Sequence, residues 1–120
     1  MVFGTFDDLH PGHEYVFGEA LRRADSGERI AGSGVYAVVA RDSNVLKIKG
    51  RAPLQTQEQR MEAINRLFPD VHVMLGDVSD FLAPIRDVHP DVILLGYDQI
   101  LPPGVHEKDL GVPVERLDAF

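Results

Sequence analysis

The stretch GTFDDLHPGHEYV, residues 4–16, sets two imidazoles, His10 and His13, around a Pro-Gly pair where a helical pattern opens. Ahead of it stands a very short β run, Val2-Phe3. Behind it, Val16, Phe17, Ala20, Leu21 and Ala24 recur at helical spacing, and proline suits a first turn. A helix is therefore expected over Pro11–Ala24. The rest of the chain keeps the alternation. VYAVVA, residues 35–40, is a continuous β-branched run of the kind found in buried parallel strands. Thr56 and Gln59 form a capping-box pattern ahead of a helix carrying Met61, Ile64 and Leu67. VHVML, residues 71–75, reads as a strand, Phe81–Val88 as a short helix, and DVILLG, residues 91–96, as a strand closed by a breaker. VHEKDLG, residues 105–111, reads as a helical turn stopping at Gly111. VPVERL, residues 112–117, reads as an edge strand, because Pro113 lacks a ladder donor. Two segments read as irregular: the Gly/Ser-rich stretch 25–34, and RDSNVLKIKGRAPLQ, residues 41–55.

Strands alternating with helices give an α/β fold, a parallel sheet with helices on both faces. In such sheets ligands lie beyond the carboxyl ends of the strands. Functional groups are therefore expected just after Phe3, Ala40, Leu75 and Leu95.

Composition narrows the function classes. A chain of 120 residues with 44% apolar residues forms one domain with its own core, expected over residues 1–120. It has no cysteine, which excludes disulfides and thiol chemistry and suits a cytoplasmic setting. The formal net charge of −7 argues against a nucleic-acid backbone as partner. A local positive pocket for a small anion remains compatible with it. No run approaches the ~20 apolar residues of a membrane span, so no membrane partner is expected.

The post-strand residues suit phosphate. A helix beginning near Pro11 offers free amides and a positive dipole end, Gly12 leaves that end open, and Gly4 lets backbone come close to a ligand. His10 and His13 donate to phosphate oxygens on this reading; on the plainer one, His10 is an N-cap and His13 a surface residue. No third ligand of suitable spacing accompanies them, so no metal site is assigned. Lys47, Lys49 and Arg51 either face polyphosphate or form a solvated basic loop. Arg60 sits in the first turn of a capped helix, where a base is disfavoured. It grips phosphate as a fork or pairs with Glu58 or Asp42. Asp98, after Gly96, accepts from a ribose or base or is a turn residue; Tyr97 stacks or packs. His72, His89 and His106 show no partner pattern. Neither a Walker A sequence nor a full G-x-G-x-x-G is present.

Taken together, GTFDDLHPGH resembles the signature of the cytidylyltransferase-like nucleotidyltransferases, whose hallmark is His-x-Gly-His. VARDSNVLKIKGRAPLQTQEQR and PDVILLGYDQ resemble the archaeal-type FAD synthases (FMN adenylyltransferases) within that superfamily. The resemblance runs from about Val2 to Gln99. It implies a Rossmann-like fold and transfer of a nucleotidyl group from a triphosphate, carried with Mg²⁺, to a phosphorylated acceptor, with pyrophosphate leaving. ATP and FMN are the expected substrates. The alternatives are CTP with glycerol 3-phosphate or a similar phospho-alcohol, and a nucleotide-binding module with weakened catalysis. It implies His10, His13, Lys47, Lys49 and Arg60 as catalytic residues. Gly4, Thr5, Phe6, Gly12, Gly96, Asp98 and Gln99 would bind nucleotide with the histidines, and a homodimer is the default assembly. Relatives carry more residues before the turn and a later Arg-Thr-x-Gly-x-Ser-Thr-like element. Here Arg116 stands near the start of that element and no Ser or Thr follows it. The domain is therefore expected to be truncated at both ends or to have lost part of the pocket.

Overall fold

A computed structural model describes residues 1–25 and 34–119. Five strands, β1 Val2–Gly4, β2 Val35–Val39, β3 Val71–Leu75, β4 Ile93–Leu95 and β5 Val114–Arg116, form one sheet in the order β3-β2-β1-β4-β5. Every pairing is parallel. The central strands β1, β2 and β4 are apolar on both faces, and their period-2 alternation divides them between two cores. Val2, Ala37, Val39 and Leu94 point to one side, where helix α1 (Pro11–Asp25) delivers Phe17 and Ala20 and α3 (Gln57–Leu67) delivers Ile64. Phe3, Val38, Ile93 and Leu95 point to the other, against Ile85 of α4 (Ala83–Val88) and Leu110 of a 3₁₀ turn, Glu107–Leu110. This is the parallel α/β sheet with helices on both faces that the alternation predicts, and the Rossmann-like fold that the resemblance implies.

The predicted elements form close to their predicted bounds. The capping box at Thr56 is complete: its hydroxyl accepts from Gln59 N–H, and the Gln59 carbonyl accepts from Thr56 N–H. Gly111 ends the 3₁₀ turn in the left-handed region, φ 74°. Strand β5 is an edge strand, and α4 begins two residues later than expected. The segment 41–55 corrects the sequence reading. Asp42–Lys49 is a helix, α2. Asp42 lies in its first turn and Lys47 and Lys49 in its last, complementing the dipole, and Gly50 closes it at φ 75° with its N–H on Leu46 C=O. Only Val45 of this helix is buried, so it carries no apolar stripe to reveal a helical period. The Gly/Ser-rich stretch falls mostly on residues 26–33, outside the described residues.

Candidate active site

The sheet order reverses between β1 and β4, and a topological switch point lies at their carboxyl ends. The turn after β1 is built from unusual backbone. Phe6 and Asp8 both have positive φ, 53° and 56°, a conformation costing ordinary residues about 1–3 kcal/mol each. Polar ties hold it. The Asp7 carboxylate accepts from Leu54 N–H (2.7 Å) and Gln55 N–H (2.9 Å), and Asp8 N–H donates to the Gln55 carbonyl (3.0 Å). Burial alone would raise the Asp7 carboxyl; these two amides, with the charges of Arg60 and Lys49, bring it below the usual range.

The turn delivers the two imidazoles together. His10 and His13 stack with ring centroids 3.8 Å apart and planes 22° apart. His10 is also the helix N-cap: its C=O accepts from Glu14 N–H (3.1 Å) and its Nδ1 from Gly12 N–H (3.0 Å). An accepting Nδ1 places the ring proton on Nε2, where it is available to an anion. The capping and pairing readings of His10 thus describe one geometry. His13 is half-buried. Its Nδ1 is buried with no hydrogen-bond partner among the described residues, and its ring meets that of Phe6 edge to face at 5.5 Å between centroids. Burial first, and the neighbouring His10 second, push the His13 pKa down to about 4.

Around this pair the expected residues divide. Lys49 reaches the turn, its Nζ donating to Thr5 Oγ1 at 3.3 Å. Lys47 lies two positions back on the same helix, about 200° around the axis, and is exposed; the structure does not bring the two lysines together. Phe6 does not line the surface. It is 4% exposed and packs on Phe17. Its ring occupies the space over Gly4, where an added Cβ would lie 2.9 Å from Phe6 Cζ. The bare Gly4 accommodates this ring, not a ligand. At Gly12 the space is likewise filled by a side chain, with a Cβ meeting His10 Cε1 at 2.9 Å.

Arg60 departs furthest from a phosphate grip. It is fully buried, and its guanidinium donates to Thr5 C=O (2.7 Å), Gln55 C=O (3.2 Å) and Asp42 Oδ1 (2.6 Å). The ion pair with Asp42 is the one that forms. Asp42 and Gln57 clasp each other as well, through Asp42 N–H to Gln57 Oε1 (2.9 Å) and Gln57 N–H to Asp42 Oδ2 (3.2 Å).

Across the seam, Gly96-Tyr97-Asp98-Gln99 forms a turn with Gln99 N–H on Gly96 C=O (3.1 Å). Gln99 is turned inward: its carbonyl accepts from Gly96 N–H (3.0 Å) and its amide donates to Phe3 C=O (2.8 Å). Tyr97 and Asp98 are exposed. Arg116 of β5 clamps the turn, Nη1 donating to Gly96 C=O and Gln99 C=O at 2.8 Å each. Asp7, Asp42, Gln55 and Gln57 were not among the sequence-predicted site residues. Asp7 sits inside the Gly-Thr-Phe-Asp signature, which offered a signal; Gln55 acts through loop contacts that carry none. Among the described residues no three His, Cys, Asp or Glu side chains converge as a metal cage.

Comparison with known proteins places the chain in a family. The family profile described as cytidylyltransferase-like matches residues 1–115. FAD synthase of Methanosphaerula palustris is 42% identical over 122 residues, covering 98% of this chain and 73% of that protein. FAD synthase of Methanosarcina acetivorans is 38% identical over 119 residues, covering 96% and 72%. FAD synthase of Halalkalicoccus jeotgali is 41% identical over 108 residues, covering 90% and 69%. A crystal structure of the lipopolysaccharide core biosynthesis protein from Thermoplasma volcanium GSS1 superposes with a TM-score of 0.81 at 28% identity, covering 100% of this chain and 95% of that one. With paired imidazoles at a helix mouth on the switch point of a parallel sheet, the chain belongs to the cytidylyltransferase-like family and is a nucleotidyltransferase.

Proposed function

We propose that this site transfers the adenylyl group of ATP to the phosphate of FMN, giving FAD and pyrophosphate. An oxygen of the FMN phosphate attacks the α-phosphorus of ATP. The bond from that phosphorus to the bridging oxygen breaks, and the pyrophosphate leaves with its electron pair. The nucleophile is already ionised, so no general base is required, and the work is positioning and charge stabilisation. The observation that carries the reading is the stacked His10–His13 pair at the mouth of α1. His10 Nε2–H, His13 and Lys49 are assigned to the phosphates. Thr5, Gly12 and the turn of Gly96 and Asp98 are assigned to the nucleotide. Arg60, Phe6, Gly4 and Gln99 are assigned to support. Lys47 has no assigned contact. Magnesium, when bound, would neutralise the triphosphate and take most of its ligands from phosphate and water, a demand compatible with the absence of a converging protein cage among the described residues. The similarity to FAD synthases supports ATP and FMN over CTP and a phospho-alcohol. The family resemblance supports a homodimer, and a chain without cysteine suits the cytoplasm.

The test is incubation with FMN and MgATP, followed by chromatography for FAD and an assay for pyrophosphate. FAD and pyrophosphate should form together, and His13→Ala should abolish both. Transfer from CTP to glycerol 3-phosphate with no use of ATP would overturn the flavin assignment. Tight nucleotide binding with no pyrophosphate release would identify a binding module instead.

A further inference from the structure

The seam between β1 and β4 opens in a way that neither neighbouring seam does. On its far side β1 pairs with β2 along its whole length, Val2 with Ala37 through Gly4 with Val39, and the ladder runs on to Ala40 N–H on Gly4 C=O (3.0 Å). On its far side β4 pairs with β5 along its whole length and runs on to Leu117 N–H on Leu95 C=O (2.8 Å). Between them only Val2 and Leu94 pair. There Leu94 N–H donates to Met1 C=O (3.0 Å). Parallel ladder bonds are evenly spaced, and each strand donates again two residues on. After Phe3 N–H to Leu94 C=O, the next bond that the β4 strand would donate in register is therefore Gly96 N–H to Phe3 C=O. These are the two groups that the Gln99 side chain holds: Gly96 N–H donates to its carbonyl and its NH₂ donates to Phe3 C=O. A carboxamide carries one donor and one acceptor, as a peptide unit does. It satisfies both strand groups while separating them by its own width.

We propose that Gln99 is a positioning residue whose carboxamide replaces one backbone rung between β1 and β4 and so sets the opening of the crevice at the switch point. Gly96 N–H and Phe3 C=O both remain paired, so neither strand group is left without a partner. Arg116 fixes the insert from behind through Gly96 C=O and Gln99 C=O. The Asp98 turn and the Gly4–Thr5 turn thus stand on opposite lips of an opening of fixed width. That this opening receives a nucleotide rests on the reading above.

The experiment uses the labelled full chain and couplings transmitted through hydrogen bonds in NMR. In the wild type the Gly96 nitrogen should couple to the Gln99 side-chain carbonyl carbon, and the Gln99 side-chain nitrogen to the Phe3 carbonyl carbon. In Gln99→Ala the seam should close by one rung, giving a direct Gly96-to-Phe3 coupling. Its thermal midpoint should stay at or above the wild-type value while turnover falls about 100-fold, as for a misplacement near 1 Å. Gln99→Glu should keep the Gly96 bond, lose the Phe3 bond and also lose turnover. It stands in if the alanine variant fails to fold. Absence of both wild-type couplings would overturn the proposal, as would a Gln99→Ala protein with full turnover. If the wild type binds neither MgATP nor MgCTP, the nucleotide reading falls, and the direct coupling in Gln99→Ala alone then carries or sinks the inserted rung.

Discussion

His13 is a neutral ring at pH 7 in the free protein, because burial and the stacked His10 hold its pKa near 4 while an unfolded chain's imidazole titrates at 6.5. Between those values the unfolded chain binds more protons, so this residue makes stability fall as the pH drops from about 6.5 towards 4; above that window it has no effect. A triphosphate beside the ring reverses the balance by favouring the cation. MgATP binding at pH 6–7 should therefore take up protons. Calorimetry in two buffers of different ionisation heat reads this directly, and His13→Gln should lose the uptake. Equal apparent enthalpies in the two buffers for the wild type would contradict it. The lysines offer a second contrast. Lys49 touches Thr5, so Lys49→Ala should lower kcat/KM by about 10²–10³, the usual cost of a lost charge-stabilising donor. Lys47→Ala should stay close to the wild type, and equal losses for both variants would show that both lysines reach the phosphates. The imidazoles were legible in the sequence because a His-x-Gly-His spacing at a helix start admits few geometries. The inequality of the lysines was not, since it depends on the segment being a helix.

At the scale of elements, two glycines of the β1–α1 unit are close-packed for different reasons, and alanine separates them. A Cβ at Gly4 would lie 2.9 Å from Phe6, a ring 4% exposed and wedged against Phe17. The ring has nowhere to move, so Gly4→Ala should cost about 1–3 kcal/mol of stability, the range for overpacking. A Cβ at Gly12 would meet His10, whose ring is exposed and can swing outward. Gly12→Ala should unfold close to the wild-type denaturant midpoint yet lose turnover, because His10 leaves the stack. Denaturant titration beside an FAD assay checks both, and a Gly12→Ala protein with full turnover would show that the stacked geometry is dispensable. The elements were largely legible where they bury a face: α1 shows Phe17 and Ala20 at helical spacing, and β2 shows an unbroken β-branched run. Helix α2 was not, because its single buried residue, Val45, gives no period. Its signals were Asp42 at the start, the lysines at the end and Gly50 beyond.

For the whole molecule, alternation of strands and helices made the parallel sheet and its carboxyl edge legible. It left the polar ties between distant segments unread, because they join groups far apart in sequence. At Arg60 the sequence offered the Asp42 pairing as one alternative but not the other two contacts: one guanidinium binds the β1 turn through Thr5, the start of α2 through Asp42 and the loop before α3 through Gln55. These three segments position Lys49, the imidazoles and the strained backbone at Phe6 and Asp8. Arg60→Met keeps the bulk and removes the fork, and should cost about 3 kcal/mol or more, because the carbonyls of Thr5 and Gln55 both lose their charged donor. Arg60→Lys should recover only part, because an ammonium cannot meet three diverging acceptors in the plane of a guanidinium. Asp42→Asn should cost about 1–3 kcal/mol, since it leaves the fully buried Arg60 cation without its counter-charge, although the amide still presents an acceptor and water reaches that 40% exposed side chain. The two roles weighed for Arg60 then part cleanly in one pair of measurements. A residue gripping phosphate would, as methionine, lose MgATP affinity at unchanged denaturant midpoint. A residue tying the scaffold would lose midpoint, and lose affinity only as the turn loosens. An Arg60→Met protein as stable as the wild type but unable to bind nucleotide would return Arg60 to the phosphates and would require the buried fork to open when the ligand arrives.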